Sequence, residues 1–158
     1  MSELSPSAAR VAAAARDLGL AVDVIEHEAT TRTAEDAAAA CGCAVGQIVK
    51  SLIFRGRTTK KPYLLLVSGS NRVDEKAVAA SIGEALKRTD ADDVRTLTGY
   101  AIGGVPPLGH AQPLTVYLDR DLLAFPTVWA AAGTPNAVFE VAPRALAEAT
   151  GAEVIAVG

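Results

Sequence analysis

Gln47-Ile48-Val49-Lys50-Ser51-Leu52-Ile53-Phe54-Arg55, then a polar stretch from Gly56 to Lys61, then Pro62-Tyr63-Leu64-Leu65-Leu66-Val67-Ser68, decide the fold class. Two apolar runs rich in branched residues, joined by a short polar turn, read as an antiparallel hairpin. Upstream, Ser5-Pro6 supplies a helix cap and a first-turn proline for a helix that runs to Leu18 and stops at Gly19. Ala21 to His27 alternates as a first strand, and Thr31-Arg32-Thr33 leads into an alanine-rich helix, Ala34 to Cys41, capped by Thr33 and ended by Gly42. Downstream of the hairpin, Ser68 to Arg72 is a loop. Asp74 caps a helix to Ile82, and Leu86 to Arg88 is too short to assign. Thr89 or Asp90 caps a helix from Ala91 to Leu97. Leu114 to Leu118 and Thr127 to Ala131 read as strands, with Asp119 opening a turn or short helix between them. Gly133 to Asn136 is a tight turn into a strand over Ala137 to Val141; a helix from Pro143 to Ala149 and a strand over Glu153 to Val157 close the chain. Strands and helices alternate irregularly around two hairpins. That pattern predicts an α+β fold with a mixed, mainly antiparallel sheet, and not a doubly wound parallel one.

The 158 residues suit one domain, 1–158, with no linker, repeat or low-complexity tail. Half of them are hydrophobic and mean hydropathy is +0.25, which excludes a disordered chain. No apolar run approaches the ~20 residues of a membrane span, and the start at Met1 lacks a basic segment followed by an apolar one, so a cytoplasmic protein without membrane contact is expected. A net charge of −3 argues against a protein that coats DNA. It leaves room for one that grips the end of an RNA through a few cations, and Lys50, Arg55, Arg57, Lys60, Lys61 and Arg72 make the middle third locally basic. A solvated face is the simpler account of most of these.

Thr98 to His110 is the second informative stretch: four glycines and an adjacent Pro106-Pro107 pair among apolar residues. The prolines stiffen a loop, and Gly103, Gly104 and Val105 keep N–H groups that can hold a carbonyl or an oxyanion. A tight crossover between two strands explains the same composition. Lys50 interrupts an apolar strand, and an outward-facing lysine explains it by pattern. Motifs for other chemistries are missing. Ser68 has Leu66 where a nucleophile elbow needs glycine, and Val49 stands where a phosphate-binding loop before Lys50-Ser51 needs glycine. Cys41 and Cys43 are too close for an unstrained disulfide, and with only His27 and His110 to add, no metal set is expected; nor is a cofactor.

Val49-Lys50-Ser51-Leu52, Ser68-Gly69 with Arg72-Val73-Asp74-Glu75-Lys76, Thr98-Gly99-Tyr100 with Gly103-Gly104-Val105-Pro106-Pro107-Leu108-Gly109, Tyr117-Leu118-Asp119 and Ala132-Gly133 occur in this order. The ordered set resembles the YbaK/EbsC family, single-domain relatives of the editing insertion domain of prolyl-tRNA synthetase, from about residue 20 to the C-terminus. The resemblance implies a mixed sheet partly closed into a barrel with helices around it. It also implies hydrolysis of the ester of a mischarged aminoacyl-tRNA, of tRNA-Pro or a related type, carrying a small amino acid. It places the family's lysine on Lys50 and the loop that holds the ester on Gly103, Gly104 and Val105, and it implies substrate contacts from Thr33, Ser51, Ser68, Gly69, Ile102, Pro107, Gly133 and Asn136. Several relatives carry histidine where Asn136 stands here. The partner so implied is the acceptor end of aminoacyl-tRNA, with a synthetase as a further partner. Water or a ribose hydroxyl would be the nucleophile. A non-catalytic module for an aminoacyl-adenosine or similar ligand, or a subunit that docks on a synthetase, is the alternative.

Overall fold

The computed structural model describes residues 4–28 and 33–158. Met1 to Glu3 and the Thr31-Arg32 lead-in lie outside the described residues. The expected hairpin forms as β2 (Ile48–Gly56) and β3 (Pro62–Ser68), in register from Val49 opposite Ser68 to Arg55 opposite Pro62. β3 is covered on both faces, and Leu64, Leu65, Leu66 and Val67 are fully buried. This is why it reads as an unbroken apolar run and not as an alternating one. Each such leucine contributes ~1.5–3 kcal/mol of burial.

The other strands are β1 (Val24–Glu26), β4 (Leu86–Arg88), β5 (Thr115–Asp119), β6 (Val128–Ala131), β7 (Ala137–Val141) and β8 (Glu153–Ile155). They extend the hairpin in the order β1-β7-β6-β2-β3-β5-β8, with β4 added beside β2. Four pairings are antiparallel and three parallel, so the sheet is mixed and mainly antiparallel, as expected. The ladders run as an open path. No ladder among the described residues closes the sheet into a full barrel.

Helix α1 (Pro6–Asp17), α4 (Ala91–Thr98) and α5 (Pro143–Thr150) cover one face, where Val11, Leu97 and Leu146 meet Leu64, Leu66 and Phe139. On the other face Val78 of α3 (Glu75–Ile82) packs with Leu65, Val67 and Phe54. Helix α2 (Ala34–Cys41) lies over Ile48. The caps are those read from the sequence: Ser5, Thr33, Asp74 and Asp90 each accept a backbone N–H of their own first turn. The first and last strands are shorter than expected, and Leu86 to Arg88 forms a strand after all because Gly56 and Arg55 offer it an edge.

One irregularity positions the site. β3 pairs along the whole of one edge of β2, but the opposite edge is shared. β6 runs parallel to it at Ile48–Val49 only, and β4 antiparallel to it at Phe54–Gly56 only. Between these short ladders the edge of β2 from Lys50 to Ile53 has no strand beside it among the described residues. The loop after α4 fills the opening, with Ile102, Gly103 and Val105 facing this stretch across two cavities.

Candidate active site

Strand geometry fixes what the open edge presents. The Ile48 carbonyl accepts from Gly69 and the Gly56 N–H donates to Lys61, so even-numbered positions of β2 direct their backbone groups at the hairpin partner. Odd-numbered positions therefore face the opening. The Ile53 carbonyl there is taken by the Thr89 hydroxyl at 2.8 Å. The N–H and C=O of Ser51 have no partner among the described residues, and the Ser51 hydroxyl is buried and also without one.

Side chains alternate in the same way. Ser51 lies on the face of Val49 and Ile53, and Lys50 on the face of Phe54. The Lys50 ammonium donates to the Asn71 carbonyl at 2.5 Å. Asn71 is itself anchored. Its side-chain amide donates to Asp119 and Asp121, each at 2.8 Å, and the buried Asp119 carboxylate also accepts the Ser68 and Asp121 N–H groups at 3.0 Å. An ammonium has three donors, so the chain Asp119–Asn71–Lys50 fixes one and leaves two for a ligand. Burial lowers the Lys50 pKa and Arg72 acts in the same direction, while Glu35 and Asp119 oppose them.

The facing loop is held from behind. The Gly104 N–H closes a turn onto the Ala101 carbonyl at 3.1 Å, so it is not available to a substrate, contrary to the sequence reading. The Gly103 and Val105 N–H groups make no hydrogen bond among the described residues, and both residues line the opening. Gly104 accepts the Gly133 N–H at 2.9 Å, and a Cβ on Gly104 would lie 2.8 Å from Thr134 Cα. Gly133, at φ +95°, is pressed in turn against the Ser7 carbonyl of α1, 2.8 Å from where its Cβ would be. Arg10 of α1 stacks 4.8 Å over the Tyr100 ring, and the His110 Nε2–H donates to the Pro106 carbonyl at 2.7 Å.

The two cavities meet at Lys50, Ser51, Leu52, Ile102, Gly103 and Val105 and form one groove. The first, about 320 Å³, is mostly apolar, walled by Ala37 of α2, Ile48 of β2, Trp129 of β6, Val138 of β7 and Pro135 of the turn between β6 and β7. The second, about 620 Å³, adds Arg72 and Arg88 to Lys50. No carboxylate and no histidine lines either cavity among the described residues. No cluster of described residues is suited to hold a metal ion, and the Cys41 thiol is pushed up to about 11 by burial, with Cys43 and Glu140 adding to it.

Of the residues expected at the site, Lys50, Ser51, Thr33, Ile102, Gly103 and Val105 converge on the groove. The others do not reach it. The Ser68 hydroxyl is spent on the Gly46 carbonyl, and Gly69 lets the chain pass the Val45 carbonyl, which a Cβ there would strike. Pro107 is buried and turned to a separate cavity beside Leu18 and His110. Gly133 supports Gly104 from behind. Asn136, expected at the rim, donates its amide to the His27 carbonyl at 2.7 Å and accepts from the Thr134 hydroxyl at 3.0 Å, so it ties β1 to the turn. Sequence reasoning missed Arg88, whose segment was too short to assign, offered Thr89 only as a helix cap, and counted Arg72 only among the basic residues of the middle third and in the ordered motifs.

The chain thus carries a mixed sheet split at a lysine-bearing strand, with a glycine–proline loop across the split. The family model for the aminoacyl-tRNA editing domain matches residues 28–149, and the chain belongs to that family. A solved structure of a candidate trans-editing enzyme for prolyl tRNA synthetase superposes with a TM-score of 0.93 at 51% identity, covering 98% of both chains. YwhH of Bacillus subtilis (strain 168) is 36% identical over 126 residues, 80% of each chain. EbsC of Enterococcus faecalis (strain ATCC 700802 / V583), named as a candidate Cys-tRNA(Pro)/Cys-tRNA(Cys) deacylase, is 28% identical over 119 residues, 75% of this chain and 72% of that one.

Proposed function

We propose that the chain hydrolyses the ester of a mischarged aminoacyl-tRNA, acting in trans on tRNA-Pro or a related tRNA that carries a small amino acid. The observation that carries this reading is the pairing of two free loop N–H groups, on Gly103 and Val105, with a cation-lined opening in the sheet in a member of the editing family. In the reaction an oxygen nucleophile adds to the ester carbonyl. The carbonyl oxygen becomes an oxyanion, which Gly103 and Val105 stabilise by ~3 kcal/mol per donor. Collapse breaks the bond to the ribose oxygen, which leaves with a proton, and the products are free amino acid and tRNA. Among the described residues no carboxylate or histidine lines the groove to serve as a base. Attack by the vicinal ribose hydroxyl only moves the acyl group between the two ribose oxygens, so water completes the hydrolysis and the hydroxyl serves to orient it.

Lys50 suits a phosphate oxygen of the terminal nucleotide, with Arg72 and Arg88 further along the same cavity. The apolar cavity suits the side chain. Its loop wall carries the buried Pro106-Pro107 pair and moves little, and a rigid wall discriminates by excluding what is too large, since a missing methylene costs only ~1–3 kcal/mol. The names of EbsC and of the solved relative favour tRNA-Pro and prolyl-tRNA synthetase as the context. The test is release of free amino acid from a panel of mischarged tRNAs. Acceleration over buffer for small amino acids on tRNA-Pro is the expected result. Tight binding of charged tRNA with no release anywhere in the panel would leave a non-catalytic module instead.

A further inference from the structure

Ser51 has a hydroxyl, a backbone carbonyl and a backbone N–H that all stand without partners among the described residues, at the gap in β2. Polar groups at a sheet edge that no strand covers are completed by water or by a ligand that displaces it. The polar inventory of the groove decides which part of the substrate that is. The loop wall offers donors, Gly103 N–H and Val105 N–H, which suit the ester oxygens. The cations Lys50, Arg72 and Arg88 suit phosphate.

An aminoacyl ester carries one more polar group, its α-amine, which needs acceptors. No carboxylate lines the groove among the described residues. The Thr33 hydroxyl accepts from the Asp36 N–H as a helix cap, and the Thr89 hydroxyl is committed to the Ile53 carbonyl. Asn136, at the position where the resemblance puts a histidine, has both ends of its amide engaged.

We propose that Ser51 is the α-amine subsite: its carbonyl and hydroxyl oxygens accept from the substrate amine, directly across the groove from the loop donors that hold the carbonyl. This rests on the deacylase reading above and names the part of the substrate it reads. Neutral acceptors accommodate the amine protonated or not, which suits a group titrating near ~8. The amine is then held on the Ser51 face of β2, away from the Lys50 ammonium, which leaves from the opposite face.

The experiment compares alanyl-tRNA with lactyl-tRNA, made from it by nitrous acid deamination, so that only the amine changes to a hydroxyl. Rates are divided by the spontaneous hydrolysis of each ester. The wild type is expected to accelerate the alanyl ester at least tenfold more than the lactyl ester. Ser51→Ala is expected to narrow that ratio by lowering the alanyl rate alone, and Ser51→Thr, which keeps the hydroxyl, to preserve it. Equal acceleration of both esters by the wild type would overturn the proposal while leaving the deacylase intact. An equal loss on both esters in Ser51→Ala would also overturn it and assign the hydroxyl to water or to the fold. No acceleration of either ester would remove the deacylase reading and this one with it.

Discussion

The two walls of the groove are built by different physics. The strand wall carries Lys50 and Ser51 on β2, whose other edge is zipped to β3 along its length, so the hairpin ladder fixes their backbone and the Asp119–Asn71 chain holds the Lys50 ammonium. The loop wall has no ladder. Gly103 and Val105 are held because Gly104 rests on Gly133, Gly133 rests on Ser7 of α1, and Arg10 of α1 covers Tyr100. That support includes a helix outside residues 28–149, the stretch matched by the family model. The strand wall should therefore lose function through chemistry, when a side chain is removed. The loop wall should lose it through geometry, when a backbone contact is prised open.

The largest effect is expected on the strand wall. Lys50→Ala should lower single-turnover hydrolysis roughly a hundredfold or more, the scale of about 3 kcal/mol for a charged contact, with melting temperature nearly unchanged because no core volume is lost. Asp119→Asn should give a smaller loss on the same wall, roughly tenfold, by loosening the Asn71 carbonyl that holds Lys50. An equal loss in both variants would mean that Asp119 matters for more than its hold on Asn71.

Gly104→Ala is the matching test of the loop wall. Its Cβ meets the backbone of Gly133 and Thr134, which cannot move aside as a side chain can, so activity should fall for every substrate and stability by ~1–3 kcal/mol together. Thermal melts and rates measured on one preparation decide it; lost activity at full stability would say that the methyl blocks the ester directly.

A smaller effect is expected on acidification. His110 sits behind the loop, and burial lowers its pKa more than its bond to Pro106 raises it. The unfolded chain then binds the proton at higher pH than the folded one. The His110 contribution to stability is complete above the ordinary histidine value of ~6.5 and declines as pH falls through that value toward the lowered one. His110→Gln should flatten the melting temperature between pH 7 and 5 relative to wild type. The smallest effect is expected from replacing Cys41 and Cys43 together by serine, neither of which lines the groove. Activity should stay within about twofold, since exposed or half-buried surface changes seldom exceed ~0.5 kcal/mol.

The difference between the walls also sets what could be read from the sequence. The β2–β3 hairpin, the Gly133 turn and the caps at Ser5, Thr33, Asp74 and Asp90 are local features with local signals, and each formed where the residues placed it. The parallel pairing of β2 with β6, and hence the gap that exposes Ser51, joins segments about eighty residues apart and leaves no periodic trace. Lys50 and the glycine loop were legible through the ordered motifs of the family. Which loop N–H groups are free was not, because the Gly104 turn onto Ala101 depends on backbone dihedrals that the glycine-rich sequence permits without specifying. Asn136 was misplaced for a related reason: its partner, the His27 carbonyl, lies at the other end of the chain.

Single-turnover hydrolysis by the wild type of tRNA-Pro charged with alanine and with phenylalanine tests the central claim most directly. The rigid loop wall facing Ser51 predicts rapid release of alanine, many times the buffer rate, and little release of phenylalanine. Comparable cleavage of both, or no cleavage of either by folded protein, would contradict the account of this groove as a size-selective editing site.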